Sequence, residues 1–248
     1  EFRRVLFRSL LVSSPEMFRQ RFNVEVHTDT EVLAVDRGAK VLTVKDLKTG
    51  ATRAERYDAL ILSPGAAPIR PPLPGIDLDG VFAVRSIPDT RKIRAWIDAR
   101  HAKRAVVVGG GFIGLEMVEN LLHRGLAVTV LEKLPQVMPP LDPEVAAPLM
   151  NHLRAKGVQL HLGDGLASIE ATGTGLVVVA ESGARLDADI VVLAIGVKPE
   201  NGLARAAGLE IGAKGGIVVD PAMRTSDPSI WAVGRSEEHT SELQSRGL

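Results

Sequence analysis

The chain has 248 residues, 45% of them hydrophobic and 24% charged, with 30 basic and 30 acidic side chains. That length admits one large or two small domains, and zero net charge carries no signature of a nucleic-acid or membrane surface. No stretch is long and apolar enough for a transmembrane helix, and the absence of cysteine excludes disulfides, thiolate metal sites and cysteine nucleophiles within it.

The first nine residues, EFRRVLFRS, are basic and apolar and unlike the glycine- and alanine-rich sequence after them. As a targeting signal they are poor. The apolar run that starts at Leu10 stops at Ser13–Ser14–Pro15, and no small-residue cleavage site lies beyond it. The two ends match each other instead. With the codons GAG TTC AGA CGT GTG CTC TTC CGA TCT for residues 1–9, the reverse complement translates as RSEEHTSEL, which is residues 235–243, nine matches out of nine. That DNA resembles a common short-read sequencing adapter. Residues 1–9 and 235–248 are therefore expected to be adapter-derived and to carry no fold information, and leaving them out changes the net charge by one unit.

Ser14 and Pro15 read as the N-cap and first position of a short helix carrying Met17 to Phe22. Strand-like pieces come next at VEVH (24–27), EVLAVD (31–36), KVLTVKD (40–46) and ATRAERY (51–57). The Asp-Arg-Gly and Lys-Thr-Gly turns at 36–38 and 48–50 predict an antiparallel meander. Ala59–Leu62 reads as a short buried strand. Pro64, Gly65, Pro68, Pro71, Pro72, Pro74 and Gly75 then form a stiff connector, the most obvious domain boundary in the chain. A helix is predicted over 88–98.

From Ala105 strands alternate with helices. AVVVGG (105–110) is an apolar strand ending in glycine, and Phe112 to His123 reads as a helix. A second strand is AVTVLE (127–132). Asp142 and Pro143 open a helix to about Arg154, VQLHL (158–162) is a third strand, and a hairpin-rich stretch runs to Ala180. DIVVLAIG (189–196) is a further apolar strand, and IVVD (217–220) and SIWAVG (229–234) are two more. Strands separated by helices imply a parallel sheet with right-handed crossovers. The six histidines show no metal-ligand spacing.

Gly109-Gly110-Gly111-Phe112-Ile113-Gly114 matches G-x-G-x-x-G, a weak pattern by itself. Here an apolar strand precedes it, a helix comes directly after, and the next strand ends in Glu132, 21 residues beyond Gly111, near the spacing of an acid that holds a ribose. Gly109 permits the tight turn, Gly111 leaves the pyrophosphate unobstructed, and Gly114 lets helix and strand pack closely. The helix N-terminus, with Phe112 and Ile113, offers free N–H groups to phosphate. The alternative is a glycine-rich structural turn. Glu132 favours NADH, because a carboxylate accepts from a 2′-hydroxyl and repels a 2′-phosphate. Lys133 beside it is either a solvated surface lysine or a cation that tolerates that phosphate.

LILSPGAAPIRPPLPG, VVVGGGFIGLEMVENL, LAIGVKPE and TSDPSIWAVG, in that order, resemble the FAD-dependent pyridine nucleotide-disulfide oxidoreductases over essentially all of residues 10–234. In detail the wording resembles coenzyme A-disulfide reductases and related NADH oxidases. The resemblance implies an α/β fold in which a Rossmann-like NAD(P)H-binding domain (85–215) is inserted into an incomplete FAD-binding domain (10–84 and 216–234). Ser63, Pro64 and Gly65 take the place of the Ala-Thr-Gly connector beside FAD, with Ser-Pro as a departure, and Val32 is a further cofactor candidate on that side. Phe112 stands where the family often has a tyrosine gating the nicotinamide. Glu116 matches an acid near the nicotinamide, although a first-turn helix acid favoured by the dipole explains it equally well. Gly196 matches the loop closing that pocket.

The same resemblance places the glycine motif for FAD and the redox cysteine upstream of Leu10, and puts an aspartate where Arg235 stands. The expectation is thus a fragment of a cytoplasmic, homodimeric flavoenzyme that passes a hydride from NAD(P)H, with NADH favoured, to FAD and on to a small-molecule disulfide or oxygen. The chain itself is expected to be inactive and to hold FAD weakly or not at all. The alternative is a non-catalytic NADH-binding module. It is disfavoured because the meander and the last two strands would lack a central strand, leaving apolar edges open to aggregation.

Overall fold

The computed structural model describes residues 13–239, which divide into two compact units. Residues 65–200 form one, and 13–64 together with 201–239 form the other. One unit is thus inserted in the sequence of the other. The junctions fall at Pro64/Gly65 and Glu200/Asn201, whereas the family resemblance implies 84/85 and 215/216. The connector belongs with the inserted unit because β5 (Ala66–Pro68) pairs antiparallel with β14 (Val197–Pro199).

The inserted unit is built on a five-stranded sheet in the order β6-β13-β7-β8-β9, every neighbouring pair parallel. These strands are β6 (Val81–Ala83), β7 (Arg104–Val108), β8 (Ala127–Glu132), β9 (Gln159–Leu162) and β13 (Ile190–Leu193). Residues 105–108 of β7 and all of β13 read as unbroken apolar runs because both of their faces are covered. Alternation along the strand divides the residues between the faces. Val107 and Val192 join Val118, Leu121 and Leu153 in a core with α2 (Ile87–Arg100), α3 (Phe112–His123) and α4 (Pro143–Ala155). Val106, Val108, Val191 and Leu193 face the other way, onto Leu176, Val178 and Ala188.

That second face is closed by a three-stranded antiparallel sheet of β10 (Leu166–Ala171), β11 (Leu176–Ala180) and β12 (Arg185–Ala188). Valines 106, 107, 130, 191 and 192 are wholly buried, and each contributes about 1.5–3 kcal/mol relative to exposure. Asp189 locks the edge of this sandwich. Its carboxylate accepts from the Lys103 and Arg104 N–H groups and pairs with the Arg104 guanidinium at 2.8 Å.

In the other unit the meander is β1 (Thr30–Asp36), β2 (Val41–Asp46) and β3 (Thr52–Arg56), antiparallel in chain order. A separate parallel pair joins β4 (Leu60–Leu62) to β16 (Ile230–Ala232), and another joins β15 (Ile217–Val219) to β17 (Glu237–His239). Val35, Leu62, Leu209, Ile217 and Ile230 form the core between them, beside α5 (Gly202–Ala206). Arg37 ties the turn after β1 to the loop before β16, pairing with Asp227 at 2.8 Å and donating to the Gly208 carbonyl. The first helix, α1 (Pro15–Phe22), is capped by the Ser14 hydroxyl, which accepts from the Met17 N–H.

Several expectations are corrected. Residues 24–27 are not a strand: no strand among the described residues pairs with them, Val24 and Val26 are exposed, and the meander starts only after the left-handed turn at Asp29. β4 is not buried on both faces, since Ile61 is 65% exposed while Leu62 is buried. The short strands β6 and β14 and the one-turn helix α5 carry too few residues to show a period. Separately, of the segments expected to be adapter-derived, 1–9 and 240–248 lie outside the described residues, and 237–239 form β17 against β15, a pairing that does not bear on their origin.

Candidate functional site

β7, β8 and β13 run parallel, so their C-terminal ends lie side by side at one edge of the sheet, with Val108 in register with Leu131 and Leu193. Ligands of open α/β sheets bind outside such an edge. The glycine motif sits there. The Gly109 N–H donates to the Leu131 carbonyl and the Gly110 carbonyl accepts from the Met138 N–H, so the loop is pinned on both sides before α3 begins.

The three motif glycines answer to different demands. Gly109 has φ +106°, and a Cβ there would stand 2.7 Å from the Ala194 carbonyl carbon and nearer still to its oxygen. A Cβ on Gly114 would press against the Gly109 carbonyl oxygen. These two glycines are required by the protein's own packing. Gly111 is not. It is the N-cap of α3 with φ −79°, a conformation open to any residue, and a Cβ there would meet nothing within 4 Å. Among the described residues no side chain caps α3, and the first-turn N–H groups have no intrahelical acceptor. Open space in front of a bare backbone and an uncapped helix end is the geometry that helix N-termini offer to anions.

Glu132 closes β8 and is only 8% exposed. Its Oε2 accepts from the Gly110 N–H at 2.6 Å and its Oε1 from the Leu134 N–H at 2.9 Å. The carboxylate is thereby fixed against the glycine loop, and each oxygen keeps a lone pair for a further donor. Sequence reasoning placed Glu132 at this edge but missed its bond to Gly110, because that contact depends on how β7 and β8 are registered. Val137, fully buried, lies under Gly110, where a Cβ would come within 3.0 Å of its Cγ1.

Phe112 and Ile113 occupy the first two helical positions of α3 and are 67% and 36% exposed, large apolar surfaces beside the glycine loop. Glu116 lies one turn further on with its side chain exposed. Gly196, with φ +106°, makes the turn from β13 into β14, and its carbonyl accepts from the Ile69 N–H at 3.0 Å. Lys133 is 72% exposed at its side chain and pairs with Glu181 at 3.1 Å, so it is not merely solvated.

Gly65 is placed at the start of the inserted unit, where its carbonyl accepts from the Glu200 N–H. In the other unit, β4 and β16 carry Ser63 and Gly234 to the same end. A Cβ on Gly234 would lie 3.3 Å from the Ser63 Oγ. Pro64 comes after Ser63, and Val32 sits on β1, 37% exposed. Among the described residues of that unit no glycine turn joins a strand to a helix.

The family model for pyridine nucleotide-disulphide oxidoreductases matches residues 3–240. The chain belongs to that family. It is 40% identical over 229 residues to an NADH oxidase of Methanocaldococcus jannaschii, covering 92% of this chain and 50% of that protein. It is 30% identical over 227 residues to a coenzyme A disulfide reductase of Staphylococcus haemolyticus, again 92% of this chain and 50% of the relative. Among solved structures, reduced Bacillus anthracis CoADR-RHD superposes with TM-score 0.89 at 44% identity, over 93% of this chain and 41% of that one. A water-forming NADH oxidase from Lactobacillus brevis bound to NADH gives TM-score 0.84 at 34% identity, over 93% and 50%. The chain thus spans about half the length of the curated relatives quoted. It shares the α/β architecture of these oxidoreductases. No helix among the described residues is long and apolar enough to cross a membrane.

Proposed function

We propose that this chain is the nicotinamide-nucleotide-binding part of an FAD-dependent NAD(P)H oxidoreductase whose final acceptor is a small disulfide of the coenzyme A type or oxygen. The observation that carries the reading is Gly111, a glycine that none of the described residues requires, at an uncapped helix N-terminus beside a held carboxylate. NAD(P)H supplies a hydride; the protein's part is to grip and aim it. The N–H groups at the start of α3 receive the pyrophosphate, and Glu132 accepts from a ribose hydroxyl on the adenosine side. Phe112, Glu116 and Gly196 border the nicotinamide end, Phe112 as a ring that shields it from water. Ser63, Pro64, Gly65 and Val32 are assigned to the flavin side by family position alone.

Titrating the purified chain with NADH and following nucleotide fluorescence tests this reading. Saturable binding with a dissociation constant in the micromolar range, about −8 kcal/mol, is expected. Absence of saturation at millimolar nucleotide, with the chain folded by circular dichroism, would overturn it.

A further inference from the structure

Lys133 and Glu181 lie 48 residues apart in sequence, yet their side chains meet at 3.1 Å beside the end of β8. An exposed ion pair of this kind adds little to stability. Its significance lies in where it is held. The Asp164 N–H donates to the Glu132 carbonyl at 3.1 Å, and the Asp164 carboxylate in turn accepts from the Ser182 N–H at 3.0 Å and the Ser182 hydroxyl at 2.5 Å. Ser182 adjoins Glu181, whose own N–H donates to the Gly165 carbonyl at 2.8 Å. The Glu181 carboxylate lies over Gly165, where a Cβ would come within 2.6 Å of its Cδ.

A closed ring therefore runs from Glu132 through Asp164, Ser182 and Glu181 to Lys133 and back to Glu132. It fixes the β11–β12 hairpin as a wall beside the ribose-side acid. The ring carries three carboxylates, Glu132, Asp164 and Glu181, against Lys133 and, at 2.7 Å from Asp164, the imidazole of His161.

We infer that Glu181 is a specificity-determining residue: by pairing with Lys133 it denies that cation to a 2′-phosphate, and the site selects NADH over NADPH. The inference rests on the nucleotide-binding reading of the site. A 2′-hydroxyl needs only an acceptor, which Glu132 provides. A 2′-phosphate needs a free cation, and the one next to Glu132 in sequence is neutralised by a carboxylate from a different sheet. Selection is thus set by a hairpin remote from the glycine motif.

The test titrates NADH and NADPH separately into the full chain as wild type, Glu181→Gln, Lys133→Gln and the double variant, with thermal melts to show that each is folded. Wild type should prefer NADH. E181Q should cut the NADH-to-NADPH affinity ratio about three- to tenfold, the size expected of one partly screened charge. Adding K133Q should remove that gain, and raising the salt concentration should shrink it. If E181Q leaves the ratio within experimental error of wild type while NADH still binds, Glu181 has no part in selection and the nucleotide-binding reading survives. A wild type that prefers NADPH overturns the inference in the same way. If neither nucleotide binds the folded wild type, both readings fall together.

Discussion

Alanine at each of the three motif glycines separates what the fold requires from what the ligand requires. At Gly114 the new Cβ would press on the Gly109 carbonyl oxygen and lie 3.1 Å from its carbon, backbone atoms that cannot swing aside. At Gly109 it would add a left-handed φ of +106° to a 2.7 Å approach to the Ala194 carbonyl carbon. Overpacking of this kind costs about 1–3 kcal/mol, and a residue held in a sparsely populated φ region roughly as much again. G109A and G114A should therefore lose stability and nucleotide binding together.

G111A should behave differently. Alanine is a poorer N-cap than glycine by up to about 1 kcal/mol, but the gain from restricting the unfolded chain is about 0.4–1 kcal/mol, and no atom lies within 4 Å to clash. The two effects nearly cancel, so the melting temperature should move by no more than about 2–4 °C. NADH affinity should fall about 10- to 100-fold, the loss of one charge-assisted hydrogen bond to a displaced phosphate. The assay is a fluorescence titration alongside a thermal melt. A folded G111A that binds NADH within threefold of wild type would show that no pyrophosphate crosses Gly111, and a G111A that unfolds would refute the reading of its surroundings.

Four further outcomes are expected. Glu132→Ala removes the acceptor for the Gly110 and Leu134 N–H groups and should cost about 1–3 kcal/mol in denaturant midpoint as well as weaken NADH binding. Arg37→Ala breaks a charge-assisted pair with Asp227 and should destabilise the unit holding the meander by about 1.5–3 kcal/mol, read by urea melts. The Asp164 carboxyl is pulled from its ordinary 3.8 to about 2, chiefly by the Ser182 hydroxyl and then by His161. A depressed folded pKa contributes stability above the unfolded value and loses it as pH falls, so the difference between wild type and Asp164→Asn should be full at neutral pH and fade between 3.8 and about 2. Ser236 is fully buried and its hydroxyl has no partner among the described residues, so Ser236→Ala should leave stability unchanged or raise it by about 1 kcal/mol in a thermal melt.

Much of this protein is legible in one dimension because the constraints involved are local. The unbroken apolar runs at 105–108 and 190–193, the glycine loop, the helix behind it and an acid at the end of the next strand each come from strand period, turn chemistry or helix-end hydrogen bonding. The meander and its turns are equally local, and so is the alternation that announced a parallel sheet. Local pattern therefore carried the alternation of strands and helices in the inserted unit and put the glycine loop between β7 and the helix after it. It failed at 24–27, where residues with good strand propensity found no partner, and at β6 and β14, whose pairing partners lie far along the chain.

Which glycines the fold needs depends on packing between elements. The Cβ that would be forbidden at Gly109 or Gly114 is forbidden by Ala194 or by the loop itself once the strands are in register, while Gly111 faces open space. Tertiary structure likewise turned Lys133 from a surface cation beside an acid into half of an ion pair. Glu181 reaches it from another sheet, through a hairpin fixed by Asp164 and Ser182. A contact between residues 48 apart depends on register and on the packing of two sheets, and neither is encoded in any short stretch of the chain.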